Sequence, residues 1–149
     1  MKLTKVNILI LSSLILISVL SGGWYLSRQN KTLGLKTQTA QVKEISPQEA
    51  DTLIKNHKDS GNFTIIDVRT PGEFASGHLA EVTNLNYQSS AFGEELEKLD
   101  KNNIYLVYCQ TGGRSKKVLD IMKGLGFKEV YGMVGGIAQW SADGLPTVR

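Results

Sequence analysis

Cysteine and histidine are scarce in this chain. Its 149 residues include one cysteine, Cys109, and two histidines, His57 and His78. A single cysteine excludes a disulfide within the chain, so the fold must be stabilised by packing and the thiol is free. One cysteine and two scattered histidines do not form the ligand pattern of a metal site. The sequence therefore predicts neither a metal nor a cofactor.

The chain also has little excess charge. The formal net charge is +3, but five of the 17 basic residues and none of the 14 acidic residues lie within residues 1–40. The rest of the chain is slightly acidic and offers no basic field that would attract a phosphate backbone. Nucleic acid is therefore not expected as a partner.

Only one long apolar run is present, near the amino end. Residues 6–20 read VNILILSSLILISVL, and the sequence stays uncharged through residue 26. At about 1.5 Å per residue, a helix over residues 6–26 would span roughly 31 Å, close to the thickness of a bilayer core. Lys2 and Lys5 precede the run, and Trp24 and Tyr25 lie at its end, as is typical of a membrane interface.

This pattern predicts a membrane segment over residues 1–26, either a retained signal anchor or a cleavable signal peptide. The absence of an A-x-A cleavage pattern favours the anchor. The short basic tail before the run favours a domain outside the cytoplasm, and cleavage would give a secreted form. Residues 27–41 are polar and without periodicity, and we interpret them as a linker.

Helical and strand patterns alternate from residue 46 onwards. The pattern predicts helices or helical turns over 46–57, 71–77, 94–99, 115–125 and 137–140, and strands over 63–67, 104–108 and 129–131. This alternation indicates an α/β fold with a mostly parallel sheet and helices on both faces. Functional sites in such folds lie beyond the carboxyl ends of the strands, which is where Cys109 is expected.

The segment after the most apolar strand carries the candidate chemistry. It comprises Cys109, Gln110, Thr111, Gly112, Gly113, Arg114 and Ser115. The two glycines allow successive amides to turn inward as an anion-binding nest, and the helix that follows adds the positive end of its dipole. With the charge of Arg114, these features favour a thiolate at Cys109. The alternative is an inert buried thiol before an ordinary glycine turn.

Three sets of residues resemble the rhodanese family. The first is the six-residue loop over residues 109–114. The second is Asp67-Val68-Arg69 with Glu73-Phe74 and Gly77-His78-Leu79. The third is Gly135-Gly136-Ile137 with Trp140 and Gly144-Leu145-Pro146. The resemblance covers nearly all of residues 42–149 and implies a rhodanese-like domain with a five-stranded parallel sheet.

The resemblance implies a sulfurtransferase in which Cys109 carries sulfur as a persulfide and residues 110–115 bind it. A small-molecule sulfur donor and acceptor, or a thiol protein, are the expected partners of a monomeric domain. A non-catalytic binding or sulfur-carrier module stays an alternative. A phosphatase or arsenate reductase is a weaker one, because phosphatase loops of the Cys-x5-Arg type are one residue longer. Asp67, Arg69 and Glu73 are interpreted as supporting residues, with Arg69 and Glu73 expected to pair.

Overall fold

The computed structural model describes residues 40–149. The predicted membrane segment and almost all of the predicted linker lie outside these residues. Within residues 40–149, no helix is long and apolar enough to cross a membrane.

Five strands and five helices alternate along the described chain. In order they are β1 (Gln41–Ile45), α1 (Pro47–His57), β2 (Phe63–Asp67), α2 (Pro71–Ala75), β3 (Val82–Asn84), α3 (Phe92–Glu97), β4 (Ile104–Tyr108), α4 (Gly113–Gly124), β5 (Glu129–Met133) and α5 (Gly136–Ala142). Gln41, which the sequence analysis assigned to the linker, is the first residue of β1 and pairs with Glu129.

The strands form one five-stranded sheet in the order β1-β5-β4-β2-β3. Every pairing between neighbouring strands is parallel. The predicted fold, a five-stranded parallel sheet with helices on both faces, is confirmed. All five residues of the central strand β4 are buried, as expected of a strand covered on both sides.

Successive side chains of β4 point to opposite faces of the sheet and pack in two separate cores. Tyr105 and Val107 pack with residues of α3 and α4 on one face, including Leu96 and Met122. Leu106 and Tyr108 pack on the other face with residues of α1 and α5. Alternation of side chains along the strand explains this division. Both faces of the sheet are therefore covered, and its carboxyl edge is left to carry the site.

Two helices begin earlier than predicted. The helix after Cys109 starts at Gly113 rather than Ser115, because Gly112 has the left-handed conformation (φ 95°) that ends the preceding loop. The helix predicted over residues 94–99 runs from Phe92 to Glu97, and Phe92 buries its ring in the core. The earlier start of α4 brings its first amides next to the cysteine.

Candidate active site

Cys109 directly follows β4 at the carboxyl edge of the sheet. Its residue exposure is 1%, and it packs in the same core as Val107 and Val118. Burial alone would suit an inert thiol, because free cysteines are often buried. The groups that face the sulfur atom decide between the inert and the reactive interpretation.

Backbone amides point at the sulfur. The Gly112 amide donates to Cys109 Sγ at 3.1 Å, and the Ser115 hydroxyl lies 3.7 Å from the same atom. Burial raises the pKa of the Cys109 thiol, but hydrogen bonds from the Ser115 amide and hydroxyl and from the amides of Thr111 and Arg114 outweigh it, so the pKa is lowered. The loop thus presents the Gly112 amide to the sulfur of a thiol that favours its ionised form.

The loop owes its turn to one of the two glycines. Gly112 has φ 95°, whereas Gly113 is already the first residue of α4. A Cβ at Gly112 would also lie 3.2 Å from the backbone nitrogen of Gly135. The Ser115 hydroxyl also lies 2.9 Å from the Gly112 carbonyl oxygen, so its single proton is donated either to that oxygen or to Cys109 Sγ. A side chain at position 112 would thus strain the backbone and crowd the loop.

The Arg114 guanidinium binds Glu73. Nη2 donates to Glu73 Oε1 at 2.6 Å and Nη1 donates to Oε2 at 2.9 Å. These bonds lower the pKa of Glu73 to about 2 and raise the pKa of Arg114. Glu73 Oε2 also accepts from the Thr70 amide at 3.0 Å, as part of the capping box of α2. The charge of Arg114 is therefore compensated within the protein.

The expected pairing of Arg69 with Glu73 is wrong. Arg69 instead donates from Nε and Nη2 to Asp67 Oδ2, at 2.9 and 2.7 Å, and both side chains are buried. Arg69 precedes the first residue of α2, so the helical spacing to Glu73 does not apply to it. The guanidinium turns back to the end of β2 and also donates to the Gly77 carbonyl at 2.6 Å.

The side chain of Gln110 contacts this scaffold rather than the sulfur. Gln110 Oε1 accepts from Arg69 Nη1 at 3.2 Å, which links the loop to the buried ion pair. Thr111 is exposed, and its contribution to the site is its amide. Asp67 and Arg69 reach the loop through this contact with Gln110, and no hydrogen bond joins either side chain to Cys109 Sγ.

The first turn of α5 holds the cysteine loop, a role that was not predicted from the sequence. The Ile137 amide donates to the Cys109 carbonyl at 2.9 Å, and the Ala138 amide donates to the Gln110 carbonyl at 3.0 Å. The Gly135-Gly136 pair was noted as part of a family motif, but nothing in the sequence connects it to a loop some 25 residues earlier. Only the tertiary structure brings the two segments together.

Of two cavities in the described part of the chain, one adjoins the cysteine loop and the other does not. A polar cleft of about 260 Å³ lies beside the loop and is lined in part by Gln110, Ser141 and Thr147. A cavity of about 390 Å³ lies between β1 and α1, away from Cys109. Within residues 40–149, no group of three or more His, Cys, Asp or Glu residues could hold a metal ion.

Comparison with known proteins agrees with this geometry. Residues 47–143 match the rhodanese-like domain. Thiosulfate sulfurtransferase GlpE of Coxiella burnetii is 36% identical over 100 residues, which cover 67% of this chain and 88% of that protein. Thiosulfate sulfurtransferase 16, chloroplastic, of Arabidopsis thaliana is 34% identical over 107 residues, covering 65% of this chain and 84% of that protein.

Solved structures give the same result. A rhodanese-related protein from Thermoplasma volcanium has a TM-score of 0.59 at 26% identity, covering 71% of this chain and 97% of that one. A rhodanese-like domain protein from Staphylococcus aureus has a TM-score of 0.55 at 29% identity, and the match covers 66% of this chain and 90% of that one. The named relatives support a sulfurtransferase of the rhodanese type. This chain belongs to the rhodanese-like domain family.

Proposed function

We propose that this protein transfers sulfane sulfur from a donor such as thiosulfate to cyanide or a thiol, through a persulfide on Cys109. The observation that carries the proposal is the set of hydrogen bonds to Cys109 Sγ, with the Gly112 amide at 3.1 Å and further bonds that lower the thiol pKa. A thiolate is the form of cysteine that acts as a nucleophile.

In the first step, the Cys109 thiolate attacks the outer sulfur of thiosulfate. A new S–S bond forms, the bond between the two donor sulfurs breaks, and sulfite leaves with its electron pair. The product is a Cys109 persulfide that carries one negative charge on its terminal sulfur. The loop amides, which already stabilise the thiolate, lie where they can stabilise this charge without reorganising.

In the second step, cyanide or a thiolate attacks the terminal sulfur of the persulfide. The S–S bond breaks, its electron pair returns to Cys109 as the thiolate, and thiocyanate or a new persulfide leaves. The cycle returns Cys109 to the thiolate and requires no external oxidant or reductant. It needs no second cysteine in the chain, which agrees with the single cysteine of the sequence.

Phosphate-ester hydrolysis fits the site less well. Two of the five N–H donors of the Arg114 guanidinium are bonded to Glu73, which leaves fewer of them for a phosphate. The spacing of Cys109 and Arg114 is also one residue shorter than in phosphatase loops of the Cys-x5-Arg type. A purely non-catalytic module would not require the amides that lower the pKa of Cys109.

Turnover measurements test the proposal. The full chain is mixed with thiosulfate and cyanide, and thiocyanate formation is followed in parallel with hydrolysis of an aryl phosphate. We expect thiocyanate formation that is lost in Cys109→Ala, and no hydrolysis above the level of that variant. Hydrolysis that depends on Cys109, without sulfur transfer, would overturn the proposal in favour of a phosphatase.

We also propose, from the sequence alone, that residues 6–26 attach the domain to a membrane on its extracytoplasmic side. The test is expression of the full chain and of a variant lacking residues 6–26. The full chain is expected in the alkali-washed membrane fraction and accessible to protease from outside, with the shorter variant in the soluble fraction. Recovery of both proteins as soluble, with an intact amino end on the full chain, would contradict the anchor.

A further inference from the structure

The first turn of α5 is bonded to the backbone of the cysteine loop. The Ile137 and Ala138 amides donate to the carbonyls of Cys109 and Gln110, at 2.9 and 3.0 Å. The first amides of a helix have no partner within the helix. In α5, two of these amides are satisfied by the two carbonyls at the start of the loop that binds sulfur.

These two bonds control the direction of loop amides. The peptide group is planar and trans, so a carbonyl and the N–H that follows it point in opposite directions. Fixing the Gln110 carbonyl toward α5 therefore fixes the Thr111 N–H away from α5. The Thr111 amide is one of the groups that lower the pKa of the Cys109 thiol, and the next amide along the loop, that of Gly112, donates to Cys109 Sγ at 3.1 Å. The bonds to α5 thus hold the loop with its amides turned toward the sulfur.

Gly136 lets α5 approach the loop this closely. A Cβ at this residue would overlap the Cys109 carbonyl oxygen and would lie 2.7 Å from both the carbon and the oxygen of the Gln110 carbonyl. All of these atoms belong to the loop backbone, so no side-chain rotation can relieve the overlap. Gly136 also has φ 57°, which favours glycine.

The helix α5 is anchored in the core. Ile137 and Trp140 of α5 are 5% and 3% exposed and pack in the core beneath the sheet. The Trp140 indole N–H also donates to the Pro146 carbonyl at 2.9 Å. A side chain at position 136 would therefore force α5 and the loop apart and disturb the amides that face the sulfur.

We propose that Gly136 and the first turn of α5 are a positioning element that fixes the loop 109–114 in its sulfur-binding conformation. This inference rests on the proposed function, since it concerns the same loop. Gly136 acts through the backbone of Cys109 and Gln110 and does not touch the reacting sulfur. The charged groups beside the loop, Arg114 with Glu73, are not part of the contact with α5.

The test compares Gly136→Ala with a matched control, Gly144→Ala. Gly144 also has a positive φ, 75°, but a Cβ there would meet no atom within 4 Å. Both variants therefore strain the backbone, and only the first presses on the loop. Two quantities are measured in the full chain: the ultraviolet absorbance of the thiolate as a function of pH, and the rate of sulfur uptake from thiosulfate by intact mass.

We expect the thiolate of Gly136→Ala to titrate at higher pH than that of the unmodified protein, and its sulfur uptake to slow by about tenfold or more, as when a stabilising donor is misplaced. Gly144→Ala is expected to retain both properties, although its melting temperature falls. A shift of the thiolate titration would not follow from a general loss of stability. Equal titration and uptake in Gly136→Ala and Gly144→Ala would overturn the inference.

A second variant keeps the test informative if Gly136→Ala does not fold. Ala138→Pro removes the N–H that donates to the Gln110 carbonyl, at an exposed residue in the first turn of α5, where the N–H has no acceptor within the helix. We expect the same direction of both changes. An unchanged thiolate titration in folded Ala138→Pro would contradict the inference. Absence of sulfur uptake in the unmodified protein would instead contradict the proposed function, and the thiolate titration would still test the role of α5.

Discussion

Glu73 and Arg114 are joined by two hydrogen bonds, of 2.6 and 2.9 Å, that use both carboxylate oxygens and both terminal guanidinium nitrogens. The same carboxylate accepts from the amide and hydroxyl of Thr70. One side chain therefore ties the start of α2 to the first turn of α4, next to the cysteine loop. The arrangement stabilises the segment beside the cysteine loop, and the Glu73 carboxylate compensates the charge of Arg114.

Loss of this carboxylate charge should destabilise the fold. We expect Glu73→Gln to lower the free energy of unfolding by about 1 kcal/mol, since the pair is bidentate but partly exposed. Asp51→Asn is a suitable control, because Asp51 binds the exposed Lys55 at 2.6 Å on one helix. Its effect should be below about 0.5 kcal/mol. Urea unfolding of both variants measures the difference, and equal effects would contradict the assigned importance of Glu73.

The same pair predicts a dependence of stability on acid. The pKa of Glu73 is lowered from 4.5 to about 2, first by the hydrogen bond from Arg114. A depressed folded-state pKa contributes stability that is complete above pH 4.5 and is lost as the pH falls toward 2. The difference in unfolding free energy between the unmodified protein and Glu73→Gln should therefore shrink across this range. A difference that is constant with pH would contradict the assigned pKa.

The buried pair of Asp67 and Arg69 should be far more sensitive to substitution. The side chains of Arg69 and Asp67 are 3% and 0% exposed. Asp67→Asn leaves a buried guanidinium without its counter-charge, so we expect a loss of about 3 to 5 kcal/mol. The double variant Asp67→Asn with Arg69→Met leaves no unpaired charge and should lose less than the sum of the two single variants. Additive losses in urea unfolding would show that the two groups are not coupled.

Thiolate formation at Cys109 should be measurable without interference from other thiols. Because the chain has one cysteine, subtracting the absorbance of Cys109→Ser isolates its titration. Burial raises the thiol pKa, but hydrogen bonds from Ser115 and from two loop amides lower it by more, so the net shift is downward. We expect a midpoint below that of a free thiol, and a higher midpoint in Ser115→Ala. An ordinary midpoint in the unmodified protein would remove the basis for an activated nucleophile.

The local parts of the fold and site could be predicted from the sequence. The apolar run of β4, the glycine turn and the helix after it are adjacent in the chain, so their order places Cys109 at the carboxyl edge of the sheet. The capping box at Ser46 and Glu49 marks the start of α1, and both of its hydrogen bonds are present. These features depend on residues within a few positions of each other.

Features that depend on distant contacts could not be predicted in this way. The edge strand β1 reads QVKEI and is largely exposed, so it lacks the apolar run of a buried strand. The partners of Arg69 and Glu73 were misassigned from their spacing, although Thr70 and Glu73 have the spacing of a capping box. The contact of α5 with the cysteine loop joins segments that only the folded sheet brings together.

The most direct test of the account is the intact mass of the full chain after incubation with thiosulfate. We expect a gain of one sulfur atom that cyanide removes, and no gain in Cys109→Ser, in which the nucleophile is absent. An unchanged mass in the unmodified protein, under conditions where the thiolate is formed, would contradict the claim that the amides around Cys109 hold a persulfide.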